Sequence, residues 1–137
     1  MDELKVVTEE VIKERIKERQ SDANLLTNDF AAVEGHDMYA LEKKESIIKR
    51  VAMHRYMIGK LNDILYLISK SESDLEVNDS LDFVIRDREM RRDYIDRAAK
   101  ISILLHEDYM DYAVCNKVIK EVNYIKITVR KTIEGEF

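Results

Sequence analysis

The sequence of 137 residues contains no proline, no tryptophan, a single cysteine and only three glycines, Gly35, Gly59 and Gly135. Sheet folds of this size need many turn residues, yet the chain between Gly59 and Gly135 offers neither proline nor glycine. The isolated glycines also exclude a glycine-rich phosphate-binding loop or a dinucleotide fingerprint. We therefore expect an all-α protein.

Other absences bear on where the protein works. Cys115 has no second cysteine with which to form an internal disulfide, which favours a reducing compartment. No apolar run approaches the length of a membrane span, and the first residues lack the basic and apolar regions of a signal peptide. These features predict a cytoplasmic protein, of a cell or of a virus replicating in one, with no membrane partner.

Charge is abundant, but it is unevenly distributed. Charged residues make up 37% of the chain, and the net charge is −5. Residues 38–60 carry a net charge of +4 and residues 117–133 also carry +4, whereas residues 61–85 carry −5. An acidic chain has no global positive field. Any binding of nucleic acid would therefore depend on the local basic segments.

The strongest periodic pattern predicts a long helix over residues 38–69, with Asp37 as its N-cap. Apolar residues recur there at alternating spacings of four and three, which is typical of a coiled-coil heptad. We call this set the heptad stripe: Ile47, Val51, His54, Ile58, Leu61, Leu65 and Ile68. A stripe of this kind predicts an interface with other helices, and we expect self-association or a protein partner along it.

The remaining segments give weaker patterns. A helix over residues 2–20 has a poor apolar stripe, so we expect it to be peripheral or held by a partner, and residues 21–36 are expected to form a connector. Residues 70–80 are predicted to be a loop, with Asn78, Asp79 or Ser80 capping the next helix.

From residue 81 onward the apolar stripe changes face. The first stripe consists of Tyr94, Ala98, Ile101, Leu105, Tyr109 and Tyr112, and the second of Val114, Val118, Val122, Ile125, Val129 and Ile133. This change predicts helices over residues 81–112 and 113–133, with a break or kink between His106 and Asn116. Alternating β-branched residues near the C-terminus leave a short strand as the alternative for the last segment. Together these elements predict one helical domain over residues 1–137, built as a long-helix bundle or as an antiparallel coiled-coil-like hairpin.

Candidate catalytic groups are few. His54 lies within the heptad stripe, which favours a core or interface histidine. His106, Glu107, Asp108 and Asp111 form an acidic cluster, but no histidine has the Glu-x-x-His spacing of two-metal helical bundles. We expect no metal, cofactor or small-molecule substrate. A metal-dependent hydrolase is the third hypothesis for the function.

Two sets of basic residues suggest a surface for nucleic acid. In the last helix three lysines surround a tyrosine on one face, and cations beside an aromatic ring suit a single strand. The candidate nucleic-acid-binding residues are Lys43, Lys44, Lys49, Arg50 and Arg55 in the second helix, and Lys117, Lys120, Tyr124 and Lys131 in the last. The charged block Arg86–Asp93 is interpreted as a self-neutralised face, in which Asp87 pairs with Arg91 and Glu89 with Arg92. An arginine cluster for an acidic partner is the alternative.

Two short patterns resemble the phage recombination mediators, which load a recombinase onto single-stranded DNA. The first is the pair Lys43-Lys44 followed by Lys49-Arg50 and Arg55-Tyr56; the second is Ile119-Lys120, Tyr124, Ile125-Lys126 and Glu134-Gly135. The resemblance implies a small helical oligomer that binds single-stranded DNA.

The sequence thus supports two leading functions from different classes. The first is a non-enzymatic helical interaction protein that acts as a component of an oligomer or a larger assembly, because its helices carry more apolar surface than the chain can readily cover. The second is a single-stranded nucleic-acid-binding accessory factor.

Overall fold

The computed structural model describes residues 2–101 and 106–135, with side chains for residues 3–100 and 111–135. It contains the helices α1 (Asp2–Ala32), α2 (Met38–Ser69), α3 (Asp74–Ile101) and α4 (His106–Glu134). The described residues include no strand, so the all-α prediction is confirmed, and the C-terminal segment is helical.

Helix α2 has the bounds that the sequence predicts. Asp37 is its N-cap, because Asp37 Oδ1 accepts a hydrogen bond of 2.8 Å from the backbone N–H of Ala40. At the other end, Lys5 Nζ donates to the carbonyl oxygens of Ser69 (3.0 Å) and Ser71 (3.1 Å). A cation at a helix C-terminus complements the helix dipole. The first turns of α1 are therefore held against the end of α2 by the chain itself.

Helix α1 is longer than predicted. The connector expected at residues 21–36 is wrong in extent, because α1 continues to Ala32 and residues 33–37 join it to α2. Although Ser21 to Asp29 is rich in polar residues, it contains no proline or glycine to end a helix. Gly35, with φ of +87°, lies in the connector that does form.

The apolar face expected for α1 was also wrong: the sequence indicates Leu4, Val7 and Val11 on one face with Ile12 pointing away from it, yet Ile12 is fully buried and those three are half-buried. The fully buried side chains in its first half are Thr8 and Ile12, and in its second half Ala23 and Leu26 are buried. Spacings of four, eleven and three place all four on one face of the helix. Thr8 was not recognised because it is polar, but its hydroxyl donates to the carbonyl oxygen of Leu4 at 2.6 Å, which allows it to be buried.

Helix α3 begins before the predicted caps. The loop expected at residues 70–80 spans only residues 70–73, because Ser73 rather than Asn78, Asp79 or Ser80 caps the helix. Ser73 Oγ accepts a hydrogen bond of 3.2 Å from the N–H of Glu76, and the Glu76 carboxylate accepts one of 2.6 Å from the N–H of Glu72. This reciprocal arrangement is close to a capping box, and its Ser-x-x-Glu spacing is present in the sequence.

The predicted break in the C-terminal half lies too far along the chain. Helix α3 ends at Ile101 and α4 begins at His106, so the boundary between them precedes the expected window of His106 to Asn116. The error has a physical cause. The buried side of α3 contains Ile95 rather than the predicted Tyr94, which is exposed, and it includes the half-buried Arg88. Because charged residues lie within this packed face, the apolar residues of α3 do not recur there at a clear helical spacing in the sequence. The predicted stripe residues Ile101, Leu105 and Tyr109 lie outside the described side chains.

The chain divides into two compact units. Met1–Ile12 and Ile64–Phe137 form the first, and Lys13–Asp63 form the second. The first unit combines the start of α1 and the end of α2 with α3 and α4. Its largest buried apolar side chains are Ile12, Ile64, Ile68, Val77, Leu81, Ile95, Val114, Val118, Val122, Ile125 and Val129.

Helices α3 and α4 are antiparallel. Lys126 Nζ lies 2.6 Å from Asp82 Oδ1 near one end of the pair, and Arg91 Nη2 lies 2.9 Å from Asp111 Oδ2 toward the other. The predicted stripe from Val114 to Val129 is buried between its neighbours, whereas its last member, Ile133, is exposed.

The second unit is a helical hairpin. The later part of α1 and the first part of α2 run side by side, joined by residues 33–37. Its buried apolar side chains are Ala23, Leu26, Ala40, Ile47, Met57 and Leu61. Two helices have few positions that can be shielded on all sides, so this unit has a small core.

Leu61 provides a test of this core, with Leu41 on the same helix as its control. Leu61 is 0% exposed and Leu41 is 47% exposed. We expect Leu61→Ala to lower the free energy of unfolding by about 2–5 kcal/mol, because it leaves a cavity. Leu41→Ala should change it by less than about 0.5 kcal/mol. Urea denaturation followed by circular dichroism measures both, and equal effects would contradict the packing described.

Candidate interaction surfaces

The heptad stripe packs within the chain. Ile47, Leu61 and Ile68 are buried, and the other four members are half-buried. The stripe is therefore largely covered by the protein's own helices. Surface available to a partner is therefore found mainly on other faces of the helices, although the half-buried Val51 of the stripe borders an open groove.

His54, the polar member of the stripe, is half-buried as its position predicts. Its Nδ1 lies 3.2 Å from Nη1 of Arg19 on α1. An arginine side chain has no hydrogen-bond acceptor, so Nδ1 of His54 is the acceptor in this contact. His54 thus links the two helices of the hairpin, which is a structural role.

An apolar groove runs between the two helices of the hairpin. We call it the hairpin groove; its volume is about 630 Å³, and its lining includes Thr27, Phe30, Ile48, Val51, Ala52 and Tyr56. Ile48 is 55% exposed, although it is a large aliphatic side chain. Apolar side chains that gather in one exposed concave surface are typical of sites where another molecule binds.

Two cations border the hairpin groove. Arg55 is exposed and belongs to its lining. Lys44 Nζ lies 5.8 Å from the centroid of the Phe30 ring and 3.3 Å from the carbonyl oxygen of Gly35. The groove therefore combines an apolar surface with a positively charged edge.

The five basic candidates of α2 do not share one surface. Lys44 and Arg55 adjoin the hairpin groove, while Lys43 and Arg50 line a more polar groove on another side, together with Asp29 and Glu42. Lys49 pairs with Glu45 at 3.1 Å. These residues form separate small basic surfaces and do not make one continuous track.

The basic candidates of α4 do share one face. Lys117, Lys120, Tyr124 and Lys131 are all exposed, as the sequence predicts. Their spacings of three, four and seven residues place them along one side of the helix, opposite the buried stripe. Ile127, also exposed, lies among them. Lys126 is not part of this face, because it pairs with Asp82.

The outer side of α3 carries an apolar stripe that the sequence analysis missed. We call it the α3 apolar face; it consists of Leu75, Phe83, Met90 and Tyr94, which are 69%, 58%, 71% and 55% exposed. Spacings of eight, seven and four residues place them on one side of the helix. The pattern could have been found in the sequence if the stripe had been sought upstream of residue 81.

The charged block of α3 is used within the protein. Two nitrogens of Arg91, Nε at 3.1 Å and Nη2 at 2.9 Å, contact Asp111 Oδ2, and Arg92 Nη1 donates to Asn116 Oδ1 at 3.1 Å. The predicted pairs Asp87–Arg91 and Glu89–Arg92 are therefore replaced by contacts to α4. Arg88 instead pairs with the adjacent Asp87 at 2.7 Å. Arg91 and Arg92 therefore help to join α3 to α4.

The acidic cluster is only partly described. Asp111 contacts Arg91, whereas the side chains of His106, Glu107 and Asp108 lie outside the described residues. Among the side chains that the structure describes, no three His, Cys, Asp or Glu residues group so that they could hold a metal ion. None of the described helical segments has the length and apolarity needed to cross a membrane.

Comparison of the chain with protein-family models, with curated proteins and with solved structures gives no match in any of the three.

Cys115 is buried in the first unit, as its place on the α4 stripe predicts. Burial raises the pKa of its thiol above the usual value, and the nearby Arg88 guanidinium opposes this rise in part. The thiolate is the reactive form of cysteine. The thiol is therefore both inaccessible and protonated in the folded protein.

We expect Cys115 to react with a thiol reagent at least about 100-fold more slowly in the folded protein than in urea, because a buried thiol is inert. Ellman's reagent at pH 8 measures the rate. As a control, Ala113→Cys in a Cys115→Ala background places a thiol two residues away at an exposed position of α4, and it should react rapidly without urea. Equal rates for the two thiols in the folded state would contradict the burial of Cys115.

The raised pKa of Cys115 also determines whether the free energy of unfolding rises or falls with pH. As the pH rises above the usual thiol pKa, the Cys115 thiol loses its proton in the unfolded chain at a lower pH than in the folded protein. The folded protein then binds more protons, so the contribution of Cys115 to the free energy of unfolding falls as the pH rises.

Proposed function

We propose that this protein is a non-enzymatic helical interaction protein that acts in the cytoplasm as a component of an oligomer or a larger assembly. The observation that carries the proposal is the hairpin groove, where Ile48 and its neighbours leave apolar surface open on a two-helix unit. Contact with another protein would remove this surface from water. This burial would stabilise the complex by about 25 cal/mol for each Å² of apolar area covered.

The α3 apolar face adds to the same argument. Scattered single apolar residues on a surface need no explanation, but four on one side of one helix form a stripe. Its most exposed members, Leu75 and Met90, gain nothing from the fold of the chain. A helix with one side packed and an apolar stripe on another side suits a protein that contacts further helices.

Solution mass tests this proposal. We expect the wild-type protein to have a mass that is a multiple of 16.2 kDa by light scattering, and Ile48→Asp to lower it, because a carboxylate in the groove must be desolvated on association. Both should have the same helical circular dichroism, since Ile48 is exposed. Asn62→Asp adds the same charge to α2 outside the groove and should leave the mass unchanged.

A wild type that remains at 16.2 kDa up to millimolar concentration would contradict self-association. The partner would then have to be a different protein.

A second candidate function is the binding of single-stranded nucleic acid as an accessory factor, in line with the resemblance to phage recombination mediators. The observation that favours it is the exposed face of α4 with Lys117, Lys120 and Lys131 around Tyr124. This face has no element that reads bases, so contacts to phosphate would dominate. Stacking on Tyr124 would contribute about 1–3 kcal/mol per base.

Fluorescence anisotropy with a labelled single-stranded oligonucleotide tests this function. We expect affinity to fall steeply with salt and to depend little on sequence. The test variant combines Lys117→Glu, Lys120→Glu and Lys131→Glu. We expect it to lose binding of the oligonucleotide while its circular dichroism stays unchanged. The control variant combines Lys13→Glu, Lys17→Glu and Lys100→Glu, which make the same change in net charge at exposed positions outside this face. It should retain most of the binding. No binding by the wild type at low salt would exclude this function.

A further inference from the structure

Helix α2 carries a second stripe on its exposed side. We call it the outer stripe; it consists of Glu45, Ile48, Ala52, Tyr56 and Gly59, all of which are exposed. Spacings of three, four, four and three residues keep them on one side of the helix, and the middle three also line the hairpin groove. Such spacing is typical of the seam between paired helices. Because the heptad stripe is largely covered by the chain's own helices, the outer stripe is the side of α2 that another molecule can reach.

Gly59 gives independent evidence that another helix approaches this side closely. A glycine in the middle of a helix is less stable there than an alanine. Gly59 does not have a positive φ, and a Cβ atom at this position would meet no atom of the described residues within 4 Å. Neither the backbone nor the packing of the described chain therefore requires a glycine. A small residue does allow the backbone of a second helix to come close, and Ala52, two turns earlier, is also small.

Charge on the same side of α2 is ordered along the helix. Glu42 and Glu45 come first, and Lys49, Arg55 and Lys60 follow. A second α2 that ran in the same direction would bring acids beside acids and bases beside bases. In an antiparallel pair, the two acids of one copy approach Lys60 of the other, and opposite charges favour the contact.

Ala52 is the centre of this order. Glu45 lies seven residues before it and Gly59 lies seven residues after it. In an antiparallel pair centred on Ala52, Glu45 of one copy therefore lies opposite Gly59 of the other. Ile48 and Tyr56 are each four residues from the centre, so they lie opposite each other for the same reason.

The exposed charges on this side of α2 balance. Three acids stand against three bases there: Glu42, Glu45 and Asp63 against Lys49, Arg55 and Lys60. A further base, Lys44, is used within the chain, because its Nζ lies 5.8 Å from the centroid of the Phe30 ring and 3.3 Å from the carbonyl oxygen of Gly35. The two copies of Arg55 would lie three residues on either side of the centre, about 9 Å apart along the helix axis.

Helix α1 adds no charge to this surface. Its residues that line the hairpin groove and the continuation of that groove toward the start of α1 are uncharged: Gln20, Ala23, Asn24, Thr27 and Phe30. A second copy that approaches the groove therefore meets apolar and neutral polar groups on α1.

We propose that two copies of this protein pair through the outer stripe of α2, as antiparallel helices related by a two-fold axis at Ala52. The inference rests on the proposed function as an assembly component, and it identifies the partner as a second copy. Each copy contributes the same surface, so the contact is closed and forms a dimer. Ile48 and Tyr56 of one copy cover those of the other, which removes the open apolar lining of the groove from water.

Cysteine cross-linking in a Cys115→Ala background tests this pairing. A disulfide requires Cα atoms within about 7 Å of each other. Ala52→Cys, at the axis, should therefore form a disulfide-linked dimer on oxidation with diamide. Glu45→Cys alone and Gly59→Cys alone should not, because each residue lies about 21 Å along the helix axis from its own counterpart. An equimolar mixture of these two variants should cross-link.

Non-reducing electrophoresis measures the cross-linked fraction. Ala113→Cys is the control for random collisions, because it is exposed on α4, away from the proposed contact. It should stay monomeric under the same oxidation.

Gly59→Leu tests the close approach of the helices. It should weaken self-association at least about 10-fold, because the larger side chain holds the two helices apart. Helical circular dichroism should not fall, since leucine favours a helix more than glycine does. Ser46→Leu is the control, as it enlarges an exposed side chain of α2 that lines the more polar groove, and it should keep the wild-type mass by light scattering.

The other outcomes separate this inference from the proposed function. If Gly59→Cys cross-links with itself as readily as Ala52→Cys does, the helices are not antiparallel about Ala52, and the inference is wrong. If none of these cysteines cross-links although Ile48→Asp dissociates a wild-type oligomer, another part of the second copy covers the groove, and the proposed function stands without this inference. A wild type that stays monomeric and does not cross-link through Ala52→Cys would overturn both the inference and self-association.

Discussion

The structure depends on how much apolar surface four long helices can bury among themselves. In the first unit, four helical segments surround one core, and the α4 stripe from Val114 to Val129 is fully shielded. The second unit contains only two helical segments, and residues such as Ile48 stay exposed there. A helix pair cannot enclose its own apolar residues on all sides, which leaves the hairpin groove as a consequence of the fold.

Charged and polar contacts reinforce the helix pairs where apolar contact alone is limited. Lys5 holds the start of α1 to the end of α2, Arg91 joins α3 to Asp111 of α4, and Arg19 contacts His54 within the hairpin. Exposed ion pairs contribute little to stability, usually below about 1 kcal/mol, so such contacts chiefly determine which residues lie opposite each other. Arg88, Arg91 and Arg92 of the charged block thus make contacts within the protein.

The proposed functions follow from surfaces that the fold leaves uncovered. Two of these surfaces are apolar, the hairpin groove and the α3 apolar face, and the third is the basic face of α4 around Tyr124. The first two fit the proposed contact with another protein. The third fits a single strand of nucleic acid, and an oligomer that presents several such faces would bind it more tightly than one chain does.

The sequence by itself determined the helical fold, the bounds of α2, its Asp37 cap, the buried face of α4 and the inert position of Cys115. These features depend on local periodicity, capping and the lack of turn residues, which act within one or two helical turns. The tertiary structure decided the rest. Polar residues such as Thr8 and Arg88 lie inside packed faces although their cited partners, Leu4 and Asp87, are local, and a search for apolar periodicity missed them because only the packing of the helices shows which faces are buried. Likewise, a stripe such as Ile47 to Ile68 shows that a face is to be covered, but whether the same chain or another one covers it depends on which helices pack together.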